Sequence, residues 1–155
     1  MPNFGYWQFK KRSMKETVET IKDNNGNTVA IVIYKKFKKE GVNFLTPENF
    51  SQQVAFIAHA SGKVIQAHTH RKVKREVQET QETLLIKRGS IKVNLYDVEG
   101  NYLDSRILKK GDLVLLVSGG HGFEVLKDIE MIEVKQGPYS GPEDKIILKG
   151  IEQQK

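Results

Sequence analysis

Four histidines and no cysteine bound the chemistry open to this chain of 155 residues. His68 and His70 stand two apart in Lys63-Val64-Ile65-Gln66-Ala67-His68-Thr69-His70. Side chains on a β-strand alternate between faces. A strand here would turn Gln66, His68 and His70 to one side and Ile65, Ala67 and Thr69 to the other. Two imidazoles so placed can converge on one metal ion at about 2.0–2.1 Å each. The plainer reading of the pair alone is two surface imidazoles on an exposed strand. His59, at the end of Val54–Ala58, reads as an edge or core histidine with a satisfied hydrogen bond. Without cysteine there are no disulfides and no thiolate sites, so strong metal ligands must be histidines and carboxylates.

The elements that would position these residues are strands. Helical periodicity is nearly absent, and short Val-, Ile-, Leu- and Tyr-rich runs recur between turn signals. Thr17–Ile21 and Thr28–Phe37 flank Asp23-Asn24-Asn25-Gly26-Asn27, an Asn-Gly hairpin turn. Gln53–Ala58 and Lys63–His70 flank Ala60-Ser61-Gly62. Thr83–Lys87 and Ile91–Tyr96 flank Arg88-Gly89-Ser90. Tyr96 and Tyr102 flank Asp97–Asn101, and Leu113–Val117 leads into Ser118-Gly119-Gly120. Phe123–Leu126 and Met131–Lys135 flank Lys127–Glu130. Only Pro47–Phe50 and Arg71–Gln81 have room for a helical turn or two. Eight to ten evenly spaced strands predict an all-β sandwich or barrel. The sequence divides into an N-terminal arm or hairpin over 1–27 and one domain over 28–150. Ile151–Lys155 is polar and reads as a fraying end.

The glycines and histidines fall in a recognisable order. Gly62 precedes His68 with five residues between, and Glu82 precedes Gly89 with six between. Gly111 opens an apolar run that ends in Gly119-Gly120-His121. In this order the chain, from about Gln53 to about Gln136, resembles the cupin superfamily with its two motifs. The resemblance implies a double-stranded β-helix, a jelly-roll barrel, with His68, His70, Glu82 and His121 pointing inward to bind a divalent metal. Three departures stand out. The gap from His70 to Glu82 holds eleven residues, wider than the family's, and places Glu76 and Glu79 nearer the family's carboxylate position. Val117 stands where the family often has proline. His121 is one residue closer to Gly119 than the motif asks. Glu82 is preferred because its spacing to Gly89 fits and it heads a clear strand. A loop absorbs an insertion cheaply, whereas a strand register does not.

Three imidazoles and a carboxylate suit Fe, Mn, Ni, Co or Zn as divalent ions, with one or two positions left open for water or substrate. Met131–Ile146 also resembles the end of the cupin domain of type II mannose-6-phosphate isomerases. Turn chemistry closing a barrel edge explains that stretch equally well. The resemblances imply a metal-dependent isomerase or epimerase acting on a sugar or sugar phosphate. Glu124 is the candidate to move a proton, although an exposed strand glutamate is the simpler reading. Arg75 or Lys135 is the candidate to hold a phosphate. The alternatives are an Fe(II) dioxygenase on the same ligands and a non-enzymatic carbohydrate-binding cupin. Cupins commonly pair, so a homodimer is expected, with Thr28–Phe37 as a strand it could use.

The chain carries 25 Lys+Arg against 19 Asp+Glu, a net charge of +6. This would suit an acidic partner. The basic residues are scattered, however, with no aromatics interleaved as a nucleic-acid platform needs. A solvated surface is favoured over nucleic-acid binding. No apolar run approaches the roughly 18 residues of a membrane span. Met1–Met14 is basic and aromatic and lacks the apolar core of a signal peptide. The second methionine, Met14, leaves open whether residues 1–13 are native. These features fit a cytoplasmic protein.

Overall fold

The computed structural model describes residues 17–154. It contains eight strands: β1 (Val18–Lys22), β2 (Thr28–Ile33), β3 (Gly41–Phe44), β4 (Ala55–Ala58), β5 (Glu82–Tyr96), β6 (Tyr102–Lys109), β7 (Leu113–Leu116) and β8 (Gly120–Lys135). Two short 3-10 turns, Pro142–Asp144 and Ile151–Gln153, follow. The described residues hold no α-helix, so the all-β prediction stands. Six strands form one antiparallel sheet in the order β1-β2-β7-β5-β6, with β8 along β5; β3 and β4 form a separate ribbon. The sheet curls over itself into a half-barrel.

Burial explains the central strands. β2 reads Thr-Val-Ala-Ile-Val-Ile, a nearly unbroken β-branched run, and is buried on both faces, as such runs require. Val29, Ala30 and Val32 join Leu84, Ile86, Ile91, Val93, Leu95, Leu108, Val114 and Leu116 inside the curl. Ile31, Ile33, Leu115 and Val117 form a second core on the opposite face, covered by Phe37, Leu45, Phe50 and Val54. The hairpin turns fit their sequence. Asp23 Oδ1 accepts the amides of Asn25 and Asn27 at 2.9 and 2.8 Å, with Gly26 at φ 85°. Asp97–Asn101 repeats the device around Gly100.

Several boundaries differ from the sequence reading. Thr83–Lys87 and Ile91–Tyr96 are not two hairpin strands but one bent strand, β5. Phe123–Leu126 and Met131–Lys135 likewise merge into β8. The bend is a shared corner. β5 pairs with β8 from Glu82↔Lys135 to Tyr96↔Gly120, with register shifts confined to Ile86–Ile91. On its other side β5 pairs with β7 before the corner and β6 after it. The turn Lys110–Asp112 joins β6 to β7 there, through Gly111 N–H to Ile86 O at 2.8 Å and Ile86 N–H to Asp112 O at 3.0 Å. Gly89 sits at φ 79°, and a Cβ on it would lie 1.9 Å from the Asp128 carbonyl oxygen. Only glycine fits such a corner. The extra residues also switch face parity: Glu82, Leu84 and Ile86 point inward before it, Ile91, Val93 and Leu95 after it.

Lys63–His70 is not a strand. Residues 59–80 carry neither strand nor helix and are exposed throughout, including the expected helical turns of Arg71–Gln81. The segment offers few large apolar residues, Val64 and Ile65, 82 % and 63 % exposed, with Val73 and Val77. It has too little apolar surface to fix one face against the sheet. Pro47–Phe50 forms a single turn, Phe50 N–H to Pro47 O at 3.2 Å. β2 ends at Ile33 and is flanked by β1 and β7 within its own chain, so it has no free edge for a second copy. Ile151–Gln153 does not fray: it forms a 3-10 turn whose Glu152 docks on the sheet. The arm expectation for Met1–Met14 lies outside the described residues.

Candidate functional site

The corner returns the far end of β5 toward its own start. Leu95 stands opposite His121 in the β5–β8 ladder, and the fold carries His121 to Glu82, the first residue of β5. His121 Nε2 and Glu82 Oε2 are 3.1 Å apart. His121 shares its face of β8 with Phe123, which packs on the inner core; the two rings lie 5.3 Å apart. Glu82 is 8 % exposed. The His121 hydrogen bond holds its carboxyl below the usual carboxylate range, against burial, with Lys135 and Lys145 adding attraction. Lys135 Nζ lies 3.9 Å from Glu82 Oε1 and 3.8 Å from Glu133. The chain entering Glu82 is held firmly. The Gln81 side chain accepts the Gln52 amide at 3.0 Å, and its carbonyl accepts Gln52 Nε2 at 2.7 Å. The Gln81 amide in turn donates to Gln136.

Of the four expected ligands, the structure brings Glu82 and His121 together. His68 and His70 lie in the exposed 59–80 segment, paired with each other. Their rings are 5.3 Å apart and edge-on, and His68 Nδ1 is 3.0 Å from Gln66 O. No three His, Asp or Glu side chains are gathered to hold an ion among the described residues. Two atoms each about 2.1 Å from one ion, at tetrahedral or octahedral angles, stand about 3.0–3.4 Å apart. The Glu82–His121 separation fits that spacing and the N/O donor set fits the expected metals. Glu76 and Glu79 lie in the same exposed segment as the histidine pair. Glu79 lines a concavity of about 150 Å³ with Lys135, Gln136 and Tyr139.

Other candidates sit elsewhere. Glu124 has the parity of Gly122, not of His121, so it occupies the opposite face of β8. There Lys92 Nζ lies 3.1 Å from Glu124 Oε1 and Asn94 Nδ2 donates to the same oxygen at 3.3 Å. Arg75 is exposed on the 59–80 segment, and Lys135 is engaged by Glu82 and Glu133. His59 is exposed beyond β4 rather than a core histidine.

On the Glu124 face lies a polar cluster that no motif announced. Asn94 is fully buried. Its Nδ2 donates to Glu152 Oε2 at 3.0 Å, and its Oδ1 accepts Ser105 Oγ at 2.7 Å. Tyr96 OH donates to Glu152 at 2.6 Å and accepts the Ile151 amide at 2.9 Å. Burial and the Glu152 hydrogen bond push the Tyr96 phenol up to about 12. Burial opposes ionisation of Glu152, but the Tyr96 and Asn94 hydrogen bonds keep its carboxyl below the usual range. Gly122 makes the room: a Cβ there would meet Glu152 Oε1 at 2.3 Å. No sequence signal marked it: Asn94 falls at a polar position of the alternating run Ile91-Lys92-Val93-Asn94-Leu95, where an exposed side chain is the ordinary expectation.

The chain matches no family model, no curated protein and no solved structure.

Proposed function

We propose that this chain is a metal-binding barrel of the double-stranded β-helix kind, with its ion at the Glu82–His121 end. The observation that supports this most is the 3.1 Å pairing of Glu82 with His121, two residues that the motif spacing singled out from separate strands. His68 and His70 would complete the site from segment 59–80. Long segments without regular structure in compact domains are often functional, and this one enters β5 directly at Glu82. A bound divalent ion would supply a Lewis acid for carbonyl or enediolate chemistry. The substrate class that the resemblance favours is a sugar or sugar phosphate, in isomerisation or epimerisation. A homodimer in the cytoplasm completes this reading.

One observation favours a second reading. Glu82 already has His121 and Lys135 as partners, so the pair can serve as a structural hydrogen bond in a metal-free binding barrel. Elemental analysis of untagged protein decides between them, with wild type beside His70→Ala and Glu82→Ala. Near-stoichiometric metal that falls in both variants supports the metal site. Iron would then favour a dioxygenase, and zinc or manganese the isomerase. Metal lost only in His70→Ala passes the carboxylate role to Glu76, Glu79 or water. No metal in the wild type after reconstitution overturns the proposal.

A further inference from the structure

The corner end of the half-barrel holds a second concavity. It lies seven residues of β5 from Glu82, roughly 20 Å at strand rise. Its volume is about 370 Å³, and its walls include Lys35, Lys109, Lys110 and Lys127 together with Ile107 and Leu126. No carboxylate lines it. None of the four lysines forms an ion pair with a described residue. Four like charges around one hollow raise the local potential, which an anion relieves.

Two of the lysines are anchored at the backbone by a buried group. Asp112, 6 % exposed, accepts the Lys35 amide on Oδ1 at 3.0 Å and the Lys109 amide on Oδ2 at 2.8 Å. One carboxylate therefore ties together the backbones of two walls. Gly111 lets the Lys35 stem close in, since a Cβ on it would meet Lys35 Cβ at 3.0 Å. The Gly89 corner fixes the floor. Ile107 and Leu126, 48 % and 47 % exposed, give an apolar wall beside the charges. The volume falls within the range of small-molecule sites, and lysines suit phosphate oxygens as point charges.

We propose that this concavity binds a small organic polyphosphate, its phosphates on the lysines and its organic part on Ile107 and Leu126. It is separate from the Glu82–His121 end and does not depend on a metal there. Calorimetric titration of the full chain with adenosine diphosphate and with inorganic pyrophosphate tests it. Both probes should bind, and Lys109→Ala with Lys127→Ala should weaken both at least tenfold. Lys38→Ala with Lys39→Ala, exposed lysines outside the concavity, should change either less than twofold. Ile107→Ser should weaken the nucleotide and spare pyrophosphate, and thermal melts of each variant separate lost binding from lost folding. Three results overturn the proposal: no binding of either probe at millimolar concentration, equal losses in both lysine pairs, or tighter binding of a single-stranded oligonucleotide.

Discussion

At the scale of single residues, the Glu82–His121 contact makes a claim about acid stability. The Glu82 carboxyl is held below its usual range by the His121 hydrogen bond. Its ionised form therefore stabilises the fold above the unfolded value, about 4.3. That contribution is lost as the pH falls through the lower folded value. Urea unfolding of Glu82→Gln between pH 7 and pH 3 should show a shallower loss of stability on acidification than wild type; an unchanged slope counts against the contact. Asn94 is the other sensitive position. Asn94→Ala leaves Ser105 and Glu152 short of a partner in a buried setting and should cost about 2 kcal/mol; a change below ~0.5 kcal/mol in chemical denaturation would show that water replaces the amide. The sequence reached Glu82 through its spacing to Gly89 and its place at the head of a strand. Glu124 falls on the opposite face from His121 by parity: two residues from Gly122 is three from His121, and an odd step crosses the sheet. His68 and His70 were legible as a pair, but the absence of a strand beneath them was not, because two-residue spacing carries side-chain phase without saying whether a partner strand exists.

At the scale of elements, the corner shared by β5, β8 and the β6–β7 turn organises the molecule. Gly89→Ala combines a positive φ with collision into the Asp128 carbonyl, so it should destabilise by at least about 2 kcal/mol. Ala at Gly26, likewise at positive φ (85°) but with open space around the would-be Cβ, should cost less; comparing their denaturation midpoints checks this. The sequence marked the corner correctly as a break and misread its kind. A Gly flanked by polar residues between apolar runs signals a hairpin and a strand corner alike. What separates them is β8, whose matching polar break at Lys127–Glu130 lets it follow β5 round the bend. That information is non-local, as the pairing itself is.

At the scale of the whole molecule, the half-barrel is well packed at its centre and loose at one entrance. Limited proteolysis should cut first within residues 59–80, and bound metal should slow that cutting if His68 and His70 close onto Glu82 and His121. First cuts elsewhere would show that the segment is docked in solution. The lysine concavity was hidden in the sequence for a topological reason. Lys35, Lys109, Lys110 and Lys127 belong to three stretches that look scattered along the chain, yet the fold delivers all four lysines to the corner end. Lys35 follows β2, the Lys109–Lys110 pair closes the β6–β7 turn, and Lys127 lies in the bend of β8. The same topology has a consequence for how the protein is made. β5 cannot complete its hydrogen bonding until β8, which ends at Lys135, has left the ribosome. During synthesis of the intervening residues a fifteen-residue strand has one edge open, the condition under which chains associate with each other. Nascent chains in which β8 is still within the ribosome should therefore be captured by chaperones far more than chains extended by a linker long enough for β8 to emerge.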